Sequence, residues 1–119
     1  MTERICLKSE YIYKAETSAG MTDPELSMKM FRCGFRMLGG MEVENIREHS
    51  SGYACDEIEY RLAGGSSVKI KTSGTHPELT VCMDVVGKNR KDAEERETRI
   101  REDIENIIYM DLRAGYCCE

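Results

Sequence analysis

No apolar run in this chain approaches the ~20 residues that a membrane-crossing helix needs. Residues 1–10 contain no apolar core of the kind a secretory signal requires. From these two absences we expect a cytoplasmic protein with no membrane association. Positive charge is in deficit: 17 Lys and Arg face 22 Asp and Glu, for a net charge of −5. A general nucleic-acid binder needs a basic surface, so we expect no nucleic-acid partner. Catalytic signatures are missing as well: no C-x-x-C pair, no H-x-x-x-H pair, no Ser-elbow motif and no Walker A loop. The only two histidines, His49 and His76, fall in turn segments with no orienting partner nearby in sequence. A general base needs such a partner. We expect no catalytic residue, no enzymatic activity and no cofactor. There is also no internal repeat and no low-complexity tract.

What remains is an ordinary globular composition. The 119 residues, 40% of them hydrophobic, suit one domain that buries roughly two-thirds of its unfolded surface. There are six cysteines: Cys6, Cys33, Cys55, Cys82, Cys117 and Cys118. A chain with its own core and no signal peptide does not call for disulfide staples. We therefore expect free thiols, Cys33 as a small core residue among them.

Side-chain periodicity sets the element order. Residues 4–17 alternate, with Ile5, Leu7, Tyr11, Tyr13 and Ala15 on one parity, so a long half-buried strand is expected. Thr22 and Glu25 match a capping box, and Pro24 suits a first helical turn. Leu26, Met30, Cys33 and Met37 make one apolar stripe, widened by Phe31, Phe35 and Leu38, and Gly39-Gly40 stops that helix. Residues 41–49 read as a weaker strand with Met41 and Val43 inward. Ile46 falls on the other parity and implies a bulge. Ala54, Ile58, Tyr60 and Leu62 face inward on the next strand, and Val68 and Ile70 on the one after. The short loop between these two strands sets Tyr60 opposite Val68, Ile58 opposite Ile70, Glu59 opposite Lys69 and Glu57 opposite Lys71. Leu79, Val81, Met83 and Val85 form the last strand, up to Gly87.

A charged helix over 89–114 closes the chain. Asn89 is its N-cap, and Asp92–Arg96, Glu95–Arg99 and Glu97–Arg101 are (i, i+4) pairs. Its polar first half is expected to project or to be solvated. Its second half, with Ile100, Ile104, Ile107, Ile108 and Leu112, should lie on the sheet.

The order β-α-β-β-β-β-α predicts an α+β two-layer sandwich: an antiparallel sheet with both helices on one face, forming a single domain over 1–119 with a flexible tail at 115–119. It resembles the helix-grip and TATA-binding-protein-like architectures, in which a curved sheet cradles a long C-terminal helix. The resemblance is one of topology over most of the chain. It carries no residue motif and assigns no functional residue.

Four groups are candidate sites. Lys88, Asn89, Arg90 and Lys91 place cations beside the free N–H groups of a helix start, where an anion could dock. Cys117 and Cys118 are vicinal thiols, the sole candidate for soft-metal binding; otherwise no metal site is expected. Tyr11, Tyr13, Tyr60 and Ile104 could line a small pocket between sheet and helix. Glu42, Glu44, Glu48, Asp56, Glu57 and Glu59 form an acidic sheet face, by default solvated. Two helices on one side of a sheet leave the other side open, and Ile12, Ile46, Cys55, Cys82 and Val86 fall on that outer parity. The expected role is therefore binding, as a homodimeric adaptor or regulatory module with a protein partner. A small-ligand carrier is the alternative.

Overall fold

The computed structural model describes residues 4–14, 16–17, 20–21, 24–50, 56–72 and 78–113. In chain order the elements are β1 (Ile5–Lys14), β2 (Glu16–Thr17), β3 (Gly20–Met21), α1 (Pro24–Cys33), β4 (Met37–Leu38), β5 (Met41–Ser50), β6 (Asp56–Leu62), β7 (Ser67–Thr72), β8 (Glu78–Gly87) and α2 (Arg90–Arg113). Six strands form one antiparallel sheet in the order β1-β8-β7-β6-β5-β4, and β2 and β3 pair separately. The class is α+β. The tail at 115–119, Cys55, Cys117, Cys118 and His76 lie outside the described residues.

Alternation produces the core. On β8, Leu79, Val81, Met83 and Val85 are buried, and on β6 and β7, Ile58, Tyr60, Leu62, Val68 and Ile70 join them. Ile100, Ile104 and Ile108 of α2 and Met28 and Phe31 of α1 close over that surface. Each such side chain contributes about 1.5–3 kcal/mol on burial. The register between β6 and β7 is the expected one, with Tyr60 opposite Val68 and Glu59 opposite Lys69. Any one-residue slip would send the apolar row to the outside.

Several elements depart from expectation. The strand over 4–17 is not continuous, because β1 ends at Lys14 and residues 16–17 turn back on Gly20–Met21. The first helix stops at Cys33, a turn early. Gly34 takes φ +85°, the left-handed region that ends helices, and donates its N–H to Phe31 O at 3.2 Å. Met37 and Leu38 consequently become β4, and Gly39-Gly40 is a hairpin turn into β5. Among the α1 residues whose burial is described, Met28 and Phe31 are buried, whereas Cys33 and, beyond the helix, Met37 of the expected stripe are exposed.

The bulge does occur, between Val43 and Asn45, and it moves Ile46 onto the parity of Val43. Ile46 thus faces Gly34 on the helix side and not the outer face. The first half of α2 does not project. Ala93 is fully buried, and a Cβ on Gly87 would meet Ala93 N at 2.4 Å, so the helix starts with its backbone against the end of β8. Arg96 fixes this start by donating to Val86 O at 3.3 Å.

The free-thiol expectation is corrected for Cys33, which is disulfide-bonded; Cys6 and Cys82 are free. Chain length decides whether a fold needs a staple, not whether it has one. No described helix is long and apolar enough to cross a membrane.

Candidate interaction surface

The sheet has two rims of different make. At one, β5 is broken by its bulge and its first residues are covered by β4. At the other, β1 pairs with β8 through ten residues without a break. Among the described residues, nothing pairs with the opposite side of β1. A strand in that position presents a row of unpaired backbone N–H and C=O groups.

Helix α2 lies above this rim and is tied to it by polar side chains. The Tyr11 hydroxyl donates to Glu97 Oε2 at 2.9 Å and accepts from Arg101 Nη1 at 3.1 Å. The Arg101 guanidinium also sits 5.4 Å from the Tyr11 ring centroid. The hydrogen bond to Tyr11 pushes the Arg101 pKa up, so this cation is secure. One turn on, the Tyr13 hydroxyl donates to Glu105 Oε2 at 2.8 Å. Glu97, Arg101 and Glu105 therefore form one helical stripe over β1.

Two polar atoms at this seam are buried without a hydrogen-bond partner among the described residues: Ser9 Oγ and Glu97 Oε1. Arg101 Nε is 3.9 Å from Glu97 Oε1, too far for a hydrogen bond. Buried polar atoms are normally satisfied, so each orphan calls for an explanation.

The outer face of the sheet carries interleaved charges. Across the strands run Glu10, Cys82, Lys69, Glu59 and Arg47 in one row, and Ile12, Thr80, Lys71, Glu57 and His49 in the next. Lys71 and Glu57 approach to 3.8 Å. Glu57 and Glu59 thus each stand opposite a lysine of β7. Glu48 leaves it altogether, because after the bulge it stands opposite Ile58 and pairs with Arg32 at 2.7 Å. Burial first, and then the hydrogen bond to Glu10, push the Cys82 thiol up from its ordinary pKa. Cys82 is consequently a poor nucleophile.

The anion candidates Lys88, Asn89, Arg90 and Lys91 are all exposed at the start of α2. Its end is already capped from both sides. Asn89 Oδ1 accepts from Asp92 N at 2.8 Å, and Asp92 Oδ2 accepts from Lys88 N at 2.8 Å. That backbone bond holds the Asp92 carboxyl below the usual carboxylate range. Arg90 pairs with Glu94 at 3.1 Å. A shallow depression beside it, lined by Lys91, Glu94, Glu95, Thr98 and Arg99, mixes both signs of charge.

The pocket candidates fall on both sides of the seam. Tyr60 and Ile104 are core residues, at 0% and 1% exposure. The Tyr60 hydroxyl donates to Phe31 O and accepts from Phe35 N at 3.2 Å, satisfying the frayed end of α1. Tyr11 and Tyr13 spend their hydroxyls on α2.

Sequence reading missed this seam. It treated Glu97 and Arg101 as a helix-surface pair and Tyr11 and Tyr13 as pocket tips. The available signal was the tyrosine alternation on β1 matched to an acid–base–acid series at four-residue spacing on α2. No protein-family model matches the chain, and no curated protein is significantly similar to it.

Proposed function

We propose that this chain is a non-enzymatic binding protein that works as a homodimer. The observation that carries the reading is the β1 rim: ten residues of unbroken strand, unpaired on one side among the described residues. Natural sheets blunt exposed edges with prolines, bulges or a covering element. The β5 rim shows two of these devices; β1 has neither bulge nor proline and carries only the charges of Lys8, Glu10 and Lys14. Among soluble homo-oligomers, closed two-fold dimers are the commonest form. Size-exclusion chromatography with light scattering tests the reading. A mass that moves from one chain to two as concentration rises is expected. A single-chain mass up to the solubility limit would overturn it.

A further inference from the structure

We infer that the seam between β1 and α2 binds one internal water molecule, held by Ser9 Oγ, Glu97 Oε1 and Arg101 Nε. The water adds a third polar tie between strand and helix to those made by Tyr11 and Tyr13.

The ladder and the helix bring the three groups together. Helix α2 starts against Gly87, which pairs with Ile5, and by Glu105 it has reached Tyr13. Glu97 lies between these points, with its Oε2 on the Tyr11 hydroxyl. Ser9 precedes Tyr11 by two residues and so shares its face of the strand. Its ladder partner Met83 is a core residue, which also sets Ser9 on the helix side. Ser9 Oγ and Glu97 Oε1 are both buried, and neither has a hydrogen-bond partner among the described residues. Arg101 Nε stands 3.9 Å from Glu97 Oε1. That is too long for a direct bond, but it is a span that one water closes from about 2.9 Å on each side.

The chemistry selects water over an ion. Glu97 offers an acceptor, Arg101 a donor, and Ser9 either. Water donates to Oε1, accepts from Nε–H and keeps one hydrogen and one lone pair for the serine hydroxyl. Those three partners are the usual complement of a buried water. A cation would sit beside a guanidinium whose charge already offsets the carboxylate, and an anion would face Glu97 itself.

Two measurements on the full chain test the site. A high-resolution crystal structure should show one ordered water within about 3.2 Å of both Ser9 Oγ and Glu97 Oε1. A double-mutant cycle in urea gives the energetic readout. Ser9→Ala removes one end of the bridge, and Glu97→Met removes the other with an unbranched side chain of similar length. The factor by which Ser9→Ala changes the unfolding constant should differ by about threefold or more between the wild-type and Glu97→Met backgrounds. A seam without that water, a Ser9 hydroxyl bonded directly to a protein group, or the same Ser9→Ala factor in both backgrounds overturns the inference. Circular dichroism checks the fold of each variant, and the crystallographic result decides the matter if one of them does not fold.

Discussion

The tightest approach of the β4–β5 hairpin to α2 lies at Gly39, and it can be measured against its own neighbour. Gly39 has φ +60° and Gly40 has φ +79°, so both stand in the left-handed region. A Cβ on Gly39 would meet Ile100 Cγ1 at 2.7 Å, Ile100 N at 2.9 Å and Ile100 Cα at 3.1 Å; a Cβ on Gly40 would meet nothing within 4 Å. Two of the three atoms facing Gly39 are helix backbone and cannot swing aside. The Gly39 N–H also donates to Asp103 Oδ2 at 2.6 Å, and any retreat of the turn stretches that bond.

Replacing Gly40 by Ala should cost only the backbone term, about 1–2 kcal/mol. Replacing Gly39 by Ala adds the overlap with α2, about 1–3 kcal/mol by the usual cost of overpacking. Gly39→Ala should therefore destabilise by about 2–5 kcal/mol in total, a sizeable share of the roughly 5–15 kcal/mol that holds a domain together. Urea unfolding followed by far-ultraviolet circular dichroism reads both values on matched slopes. If the two variants agree within about 0.5 kcal/mol, which is inside ordinary additivity error, the hairpin is not seated on α2 and the packing argument fails.

Tyr60→Phe removes the hydroxyl that serves Phe31 O and Phe35 N, and should cost about 1–3 kcal/mol in urea unfolding because Phe35 N loses its partner and Phe31 O keeps only the Gly34 N–H. Burial raises the Tyr60 pKa, against a smaller lowering from the Phe35 N–H. Its contribution is therefore intact below the ordinary tyrosine value of about 10 and is lost as pH rises past it. Stability measured against pH should fall more steeply above that value in wild type than in Tyr60→Phe, and parallel curves would refute the assignment. Asn89→Ala removes the cap on Asp92 N and should cost about 0.5–2 kcal/mol, read by thermal unfolding. The reciprocal bond to Asp92 works while that carboxyl is ionised. Because its pKa is lowered in the fold, Lys88 amide protection should persist down through the usual carboxylate range and vanish only at lower pH; protection that ignores pH would exclude the bond.

Much of the sheet was legible because strand parity is a local signal. The Glu57–Lys71 and Glu59–Lys69 pairs follow from one loop length and one alternation. Ile46 announced its bulge by falling out of step with Val43. The end of α1 was not legible in the same way. Gly34 and Gly39-Gly40 are all competent helix stops, and periodicity carries the apolar pattern through Met37 regardless. What decides is tertiary: Tyr60 captures Phe31 O and Phe35 N, and β5 recruits Met37 and Leu38 as a strand. The docking of Ala93 was hidden because one small residue in a polar stretch gives no moment. Its partner is the bare backbone of Gly87, which periodicity cannot register.

The grounds for a binding role shift with the structure. Surplus apolar residues on the outer parity first suggested an interface, yet the large exposed ones do not gather. Ile12 stands on the outer face near the β1 rim, while Ile46 and Met37 belong to β5 and β4 at the far end of the sheet. Apolar side chains exposed singly are normal on any surface and carry no such inference. What distinguishes one rim is backbone and polar chemistry. Among the described residues, β1 has unpaired backbone groups along its outer side. An unpaired edge of this kind is complementary to another extended strand and not to an apolar surface in general.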